Sequence, residues 1–309
     1  MGLGRNILLW ASKNDFLKNH ATKWKFVQKA VKKFMPGETA DEAIFAAQKL
    51  IEKNIPVTFT HLGENINNLD EAEEVVKHYL TVLEKIYQQK LDIEISLKLT
   101  QLGLDISYEK ALYNFKKIIS KAFEYGNTVW IDMEDSSYVD RTIKFYRDVK
   151  SEFNNAGLCL QAYLYRTEKD LADLLEIKPS IRLVKGAYKE SKEIAFPVKK
   201  DVDKNYFKLA NTMLEAVKNS DVRMVFGTHD ISLIDEIFNL GAQKGIGAGK
   251  IEIQMLYGIN SNEQMRIASD AKSKIRVLIS YGEFWYPWYV RRLAERPANV
   301  WFVAKNLFN

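Results

Sequence analysis

The residues best able to do chemistry lie close together in Tyr281–Arg296, YGEFWYPWYVRRLAER. Gly282 opens this stretch, Pro287 sits where a first helical turn tolerates proline, and Pro297 stops the helix. On such a helix Arg291 pairs with Glu295 one turn on. Arg292 faces Arg296 at the same spacing, a like-charge pair that weakens a helix unless an anion lies nearby. Two adjacent guanidiniums are rigid forks suited to a carboxylate or phosphate. The competing reading is a solvated basic helix face.

Other reactive side chains sit at the ends of short β-rich runs. These runs are Val57–Leu62, Asp92–Leu99, Thr128–Met133, Leu158–Tyr163, Ile181–Lys185, Val222–Thr228, Lys250–Leu256 and Ile275–Tyr281. Their ends carry His61 and Glu64, Lys98, Asp132 and Met133, Gln161 and Tyr163, Arg182 with Lys185, Gly186 and Tyr188, then Thr228, His229 and Asp230, and Gln254. Arg182 stands between Ile181 and Leu183, so an alternating strand either buries it or points it into a shared mouth. Cations and amides dominate, which suits an anionic ligand with a polar ring system. Cationic groups near a flavin's pyrimidine edge stabilise the anion formed on reduction. A Schiff-base lyase using Lys98 or Lys185 as nucleophile is an alternative chemistry.

Metal chemistry is disfavoured. The histidines are His20, His61, His78 and His229, and no two have helix-face ligand spacing. Cys159, flanked by Leu158 and Leu160, is the only cysteine and reads as a small core residue.

The elements that position these groups follow from the alternation of the runs with helical stretches. The helices are expected over Leu69–Gln89, Tyr108–Tyr125, Ser137–Phe153, Glu168–Glu176, Val202–Asn219, Ile231–Leu240 and Glu263–Ala271. Eight strand–helix units in about 250 residues predict a (β/α)8 TIM-like barrel, with chemistry at the C-terminal strand ends. A doubly wound open sheet is disfavoured, because no strand ends in a Gly-rich dinucleotide fingerprint. Gly245, Gly247 and Gly249 follow a helix and read as a turn.

Residues 1–56 form a basic helical arm ahead of the barrel domain at 57–309, and the helix around the paired arginines closes over the barrel mouth. The arm holds ten basic residues against five acidic ones, which accounts for the whole chain's +5. Phe16–Met35 is amphipathic, with Trp24, Val27, Val31 and Phe34 at helical spacing among lysines. It packs on the body or also touches an anionic membrane. A second helix puts Ala43, Ala47, Leu50 and Ile51 on one face. No apolar run reaches the length of a membrane span, Ile7–Trp10 is too short for a signal peptide, and no nucleic-acid-binding motif is present. A cytoplasmic protein fits, with peripheral contact at the inner face of a membrane as an option.

The chain resembles the proline dehydrogenase family in its short monofunctional bacterial form. The resemblance rests on LKLTQLG at Leu97–Gly103, IDMEDS at Ile131–Ser136 and QAYLYRT at Gln161–Thr167. It continues through RLVKGAY at Arg182–Tyr188, THD at Thr228–Asp230, EIQMLYG at Glu252–Gly258 and RRLAER at Arg291–Arg296. The resemblance implies a distorted (β/α)8 barrel with noncovalent FAD. It implies oxidation of L-proline to Δ1-pyrroline-5-carboxylate, with hydride transfer to flavin N5 and electrons passed to a membrane quinone. Carried over by motif, Arg291 and Arg292 bind the proline carboxylate with help from Lys98. Asp132 and Arg182 are the catalytic polar pair, and Glu64 pairs with Arg291 as a gate. Met133, Gln161, Lys185, Gly186, Ala187, Thr228, His229 and Gln254 would contact FAD. Two positions depart from the family. Leu278 stands where a tyrosine usually packs on the substrate ring, and Thr60 where an aspartate is usual. Leucine supplies no hydroxyl, so a substituted proline or another cyclic imino acid is an alternative substrate.

Overall fold

The computed structural model describes residues 31–63, 66–270, 273–286 and 288–290. Eight parallel strands close into a barrel in sequence order: β1 Val57–His61, β2 Ile93–Leu97, β3 Val129–Ile131, β4 Ala156–Gln161, β5 Ser180–Val184, β6 Arg223–Gly227, β7 Glu252–Leu256 and β8 Lys274–Tyr281. The ring is shut by β1 against β8, with Val57 opposite Val277 and His61 opposite Tyr281. The expected (β/α)8 barrel is therefore what the chain forms. No strand boundary moves by more than two residues. β4 starts at Ala156, two residues early, because Ala156 to Leu158 pair with Val129 to Ile131.

Helices follow each of the first seven strands. They are α2 Leu69–Gln88, α3 Tyr108–Glu124, α4 Val139–Lys150, α5 Thr167–Leu175, α6 Lys199–Asn219, α7 Ile231–Gln243 and α8 Ser261–Ser269. Most bury an apolar stripe on the barrel, such as Val76, Tyr79, Leu83 and Ile86 of α2, whereas α8 buries Glu263 and Gln264 beside Ile267. Asn68 and Ser107 cap α2 and α3 by accepting from Glu71 and Lys110 N–H, which fixes where these helices start. Gly245 adopts φ +74 just after α7, in the turn expected there. An earlier helix, α1 Ala40–Ile51, opens with a capping box between Thr39 and Glu42. It buries Ala43, Ile44, Ala46 and Ala47 in the same apolar cluster as the barrel strands. Most of the amphipathic Phe16–Met35 segment lies outside the described residues. Its end supplies Val31, Phe34 and Met35 to a second cluster, with Leu62, Trp285, Tyr286, Trp288, Tyr289 and Val290.

The apolar core lies between strands and helices. The barrel interior is different: much of it is polar and charged. Arg223 donates to Glu94 at 2.5 Å and to Glu252 at 2.7 Å. Arg276 Nε lies 3.5 Å from both of these carboxylates. Arg276 also donates to Val57 O and Asp92 at 2.8 and 2.9 Å. Burial pushes the Glu94 carboxyl up, but Arg276 and Arg223 outweigh it and hold it below the usual range.

His61 points away from the mouth that its strand end suggested. It stacks on His78 of α2 with ring centroids 4.2 Å apart, and His78 Nε2 is 2.8 Å from the Tyr281 hydroxyl. Burial, then the charge of His78, lowers the His61 pKa to about 4 from 6.5. Burial also lowers that of His78. Between these values the unfolded chain takes up a proton that folded His61 refuses, so stability falls as pH falls from about 6.5 to 4. The expected loss is about 2 kcal/mol. Thermal unfolding from pH 7 to 4.5 measures it, and His61→Phe should flatten the profile. Parallel profiles for the two proteins would refute this account.

Candidate active site

The C-terminal ends of the strands hold a buried polar nest centred on Arg182. Alternation along β5 sends Ile181 and Leu183 outward and Arg182 inward, where it is 2% exposed. One guanidinium nitrogen donates to Gln254 Oε1 at 3.0 Å. The other donates to Ser96 Oγ at 2.9 Å and forms an ion pair with Asp132 Oδ1. Ser96 Oγ in turn donates to the same Asp132 oxygen at 2.9 Å. Gln254 Nε2 donates to Thr58 Oγ1 at 2.9 Å, which carries the network across the barrel. Burial opposes the charge on Arg182, yet the Asp132 carboxylate outweighs it and the pKa stays raised. Arg182 and Asp132, which share no local sequence signal, are thus brought together.

Beside the nest, Gln161 ends β4 with 3% exposure, and its Nε2 reaches Met133 O at 3.5 Å. Its buried Oε1 has no hydrogen-bond partner among the described residues. A buried carboxamide oxygen in that state calls for an N–H donor from a ligand. Lys185 Nζ is held between Asp203 at 2.5 Å and Asp230 at 2.9 Å. Gly186 takes φ +101, and a Cβ there would fall 2.0 Å from the Tyr163 ring, so only glycine lets the chain cross that ring. Ala187 follows it. Glu190 then ties this loop to the β3 loop, accepting from Ser136 N–H at 2.8 Å and Ser136 Oγ at 2.7 Å.

Thr228 is buried after β6 and accepts from Asp230 N–H at 3.2 Å. His229 accepts from Leu256 N–H through Nε2 at 3.4 Å. Lys98 closes β2 at the rim, its N–H donating to Gln101 at 3.3 Å. Leu278 and Ser280 alternate with outward-facing neighbours along β8, and Thr60 pairs with Ser280. Ser280 Oγ is buried without a partner among the described residues. Glu64, Arg291 and Arg292 lie outside the described residues. Among the described residues no group of three or more His, Cys, Asp or Glu side chains is placed to hold a metal ion. No described helix is long and apolar enough to cross a membrane.

Sequence reasoning passed over Ser96 and Thr58. The period-2 pattern of β2 could have found Ser96, since it shares a face with Glu94 and Lys98 in an otherwise apolar strand.

A closed barrel with a buried arginine–aspartate pair at its C-terminal rim defines a TIM-barrel enzyme. The family model "Proline dehydrogenase" matches residues 43–305. Proline dehydrogenase 2 of Bacillus subtilis subsp. natto is 38% identical over 307 residues, covering 99% of each chain. The proline dehydrogenase of Deinococcus radiodurans is 36% identical over 280 residues, covering 89% of each. Among solved structures, proline utilization A from Bdellovibrio bacteriovorus, inactivated by N-propargylglycine, superposes with a TM-score of 0.82 at 23% identity. That likeness, which speaks to the fold alone, covers 95% of this chain and 36% of the other. The chain belongs to the proline dehydrogenase family, and it is an oxidoreductase.

Ser96→Ala removes the hydroxyl that Asp132 and Arg182 share. The expected cost is about 1–3 kcal/mol of stability, because a buried donor of Arg182 loses its partner. A lower urea midpoint with an unchanged slope would bear this out, and an unchanged midpoint would refute it.

Proposed function

We propose that the protein oxidises L-proline to Δ1-pyrroline-5-carboxylate in proline catabolism, with noncovalent FAD as its redox cofactor and a quinone as final acceptor. The observation that carries this reading is the Arg182–Asp132–Ser96–Gln254 nest at the rim, on a chain of this family. The residues fit a flavin: Gln161 offers a buried acceptor with no partner among the described residues, and Gly186 brings bare backbone to the mouth. FAD, when bound, would supply at N5 an acceptor for the hydride from ring carbon C5 and a route for the electrons to the quinone.

The chain's own groups bind and orient. Arg291 and Arg292 grip the proline carboxylate, Lys98 adds a third positive group, and Glu64 gates the pocket by pairing with Arg291. A carboxylate held by two forks fixes the ring's orientation, which supplies much of the rate. Arg182, kept charged by Asp132, stabilises negative charge that develops beside it. Met133, Gln161, Lys185, Gly186, Ala187, Thr228, His229 and Gln254 line the cofactor's side of the mouth.

The Schiff-base alternative is disfavoured at Lys185, whose ammonium is engaged by two carboxylates. A second substrate reading, a ring-substituted proline, is favoured by one observation. Leu278 leaves the β8 side without a phenol, beside a Ser280 hydroxyl that has no partner among the described residues.

An anaerobic visible spectrum tests the whole reading. A bound flavin should bleach on addition of L-proline. Bleaching with 4-hydroxyproline alone would select the second substrate, and a colourless protein that FAD does not reconstitute would sink the proposal. Arg291→Met and Arg292→Met should each cut kcat/KM roughly 10²–10³-fold, mainly through KM, with FAD still bound. A near-normal KM in both variants would remove these arginines from the carboxylate site.

A further inference from the structure

Trp130 is fully buried in β3, and its side chain lies inside the barrel beneath the nest. Its indole N–H donates to Glu94 Oε2 at 2.8 Å. Two guanidiniums lie over its ring, those of Arg182 and Arg223, each 5.2 Å from the centroid. The facing residue on β4 is Gly157, where a Cβ would fall 2.4 Å from the indole. The adjacent strand thus gives up a side chain to seat this ring. Nothing in the mechanism above uses it.

We propose that Trp130 is a positioning residue for Arg182, its indole face setting the height at which that guanidinium meets Asp132 and the cofactor side of the mouth. This rests on the flavin reading only for its effect on catalysis. The hydrogen bonds that Arg182 donates to Gln254, Ser96 and Asp132 all leave the guanidinium at its edge. Edge contacts fix a planar fork within its plane and resist displacement along its normal weakly. A flat aromatic surface resists that displacement and attracts the cation. The N–H bond to Glu94 anchors the indole, and Glu94 is itself held by Arg223 and Arg276.

The test compares Trp130→Phe with Trp130→Met. Both lose the N–H donor and both fill the space with apolar atoms; only Phe keeps a π face. In the flavin-loaded protein, Met should lower kcat about tenfold relative to Phe, with KM for proline changing less than twofold. Its flavin midpoint potential should move to a more negative value than that of Phe. A role limited to filling the barrel would lower the melting temperature of both and leave kcat and potential equal between them, which would overturn the proposal.

A cofactor-independent readout uses arginine side-chain NMR of the wild-type protein, with the Arg182 signal assigned by its loss in Arg182→Lys. Ring current should shift the Arg182 Nε–H proton upfield. The shift should be reduced in Trp130→Met and largely kept in Trp130→Phe. An unshifted Arg182 proton in the wild type overturns the proposal even where a variant fails to fold. An upfield shift in a protein that binds no flavin would support the positioning while rejecting the flavin reading.

Discussion

The barrel depends on neutralising the charge it encloses. Glu94 and Glu252 face Arg223 and Arg276 at its lower level, and Asp132 faces Arg182 above them. Each level balances two signs. A buried ion pair adds little net stability over an apolar filling, but removing one partner costs about 3–5 kcal/mol. Such pairs therefore act as registration devices. A shift of β2 by one residue would carry Glu94 and Ser96 to the outer face together, costing Arg223 one of its two carboxylates and Arg182 its serine acceptor at once. Barrels of this class more often fill their interior with branched aliphatic side chains. Here the apolar packing has been left to the strand–helix layer.

This arrangement puts rigidity where the chemistry would be. Arg182 is held from β2, β3 and β7, and Gln254 passes the restraint to β1. Arg182, Ser96 and Gln254 sit on strands and Asp132 directly follows β3, and a strand-borne group keeps its place more precisely than a loop-borne one. The loops supply what must bend. Gly186 passes over Tyr163, and Glu190 ties the β5 loop to the β3 loop through Ser136.

Much of this was legible in the sequence. The eight strand–helix units were visible because each helix shows a 3.6-residue stripe and each strand a compact apolar run. Arg182 stood out as a charge flanked by Ile181 and Leu183, which a strand must bury or aim inward. The glycine at 186 made sense once the Tyr163 ring lay beneath it. What stayed hidden was pairing at long range. Arg223 and Glu94 are 129 residues apart, and nothing in either strand names its partner. Trp130 carries no signal within its own strand, because its importance comes only from barrel closure. His61 was placed at the rim by its strand end, whereas alternation from the inward Thr58 sends it to the outer face against His78. No two histidines showed ligand spacing along the chain, yet His61 and His78 stack when α2 folds back on β1.

The enclosed ion pairs also divide the protein's response to its solution. Mobile ions screen exposed charges within about 8 Å at physiological ionic strength, and they reach buried pairs poorly. Pairs such as Lys77–Glu74 on the outside of α2 are open to that screening. The Arg182–Asp132 pair, with Arg182 sealed from solvent, is not. Ionic strength therefore acts on what the protein's outer charge attracts, and hardly on the barrel that holds the site.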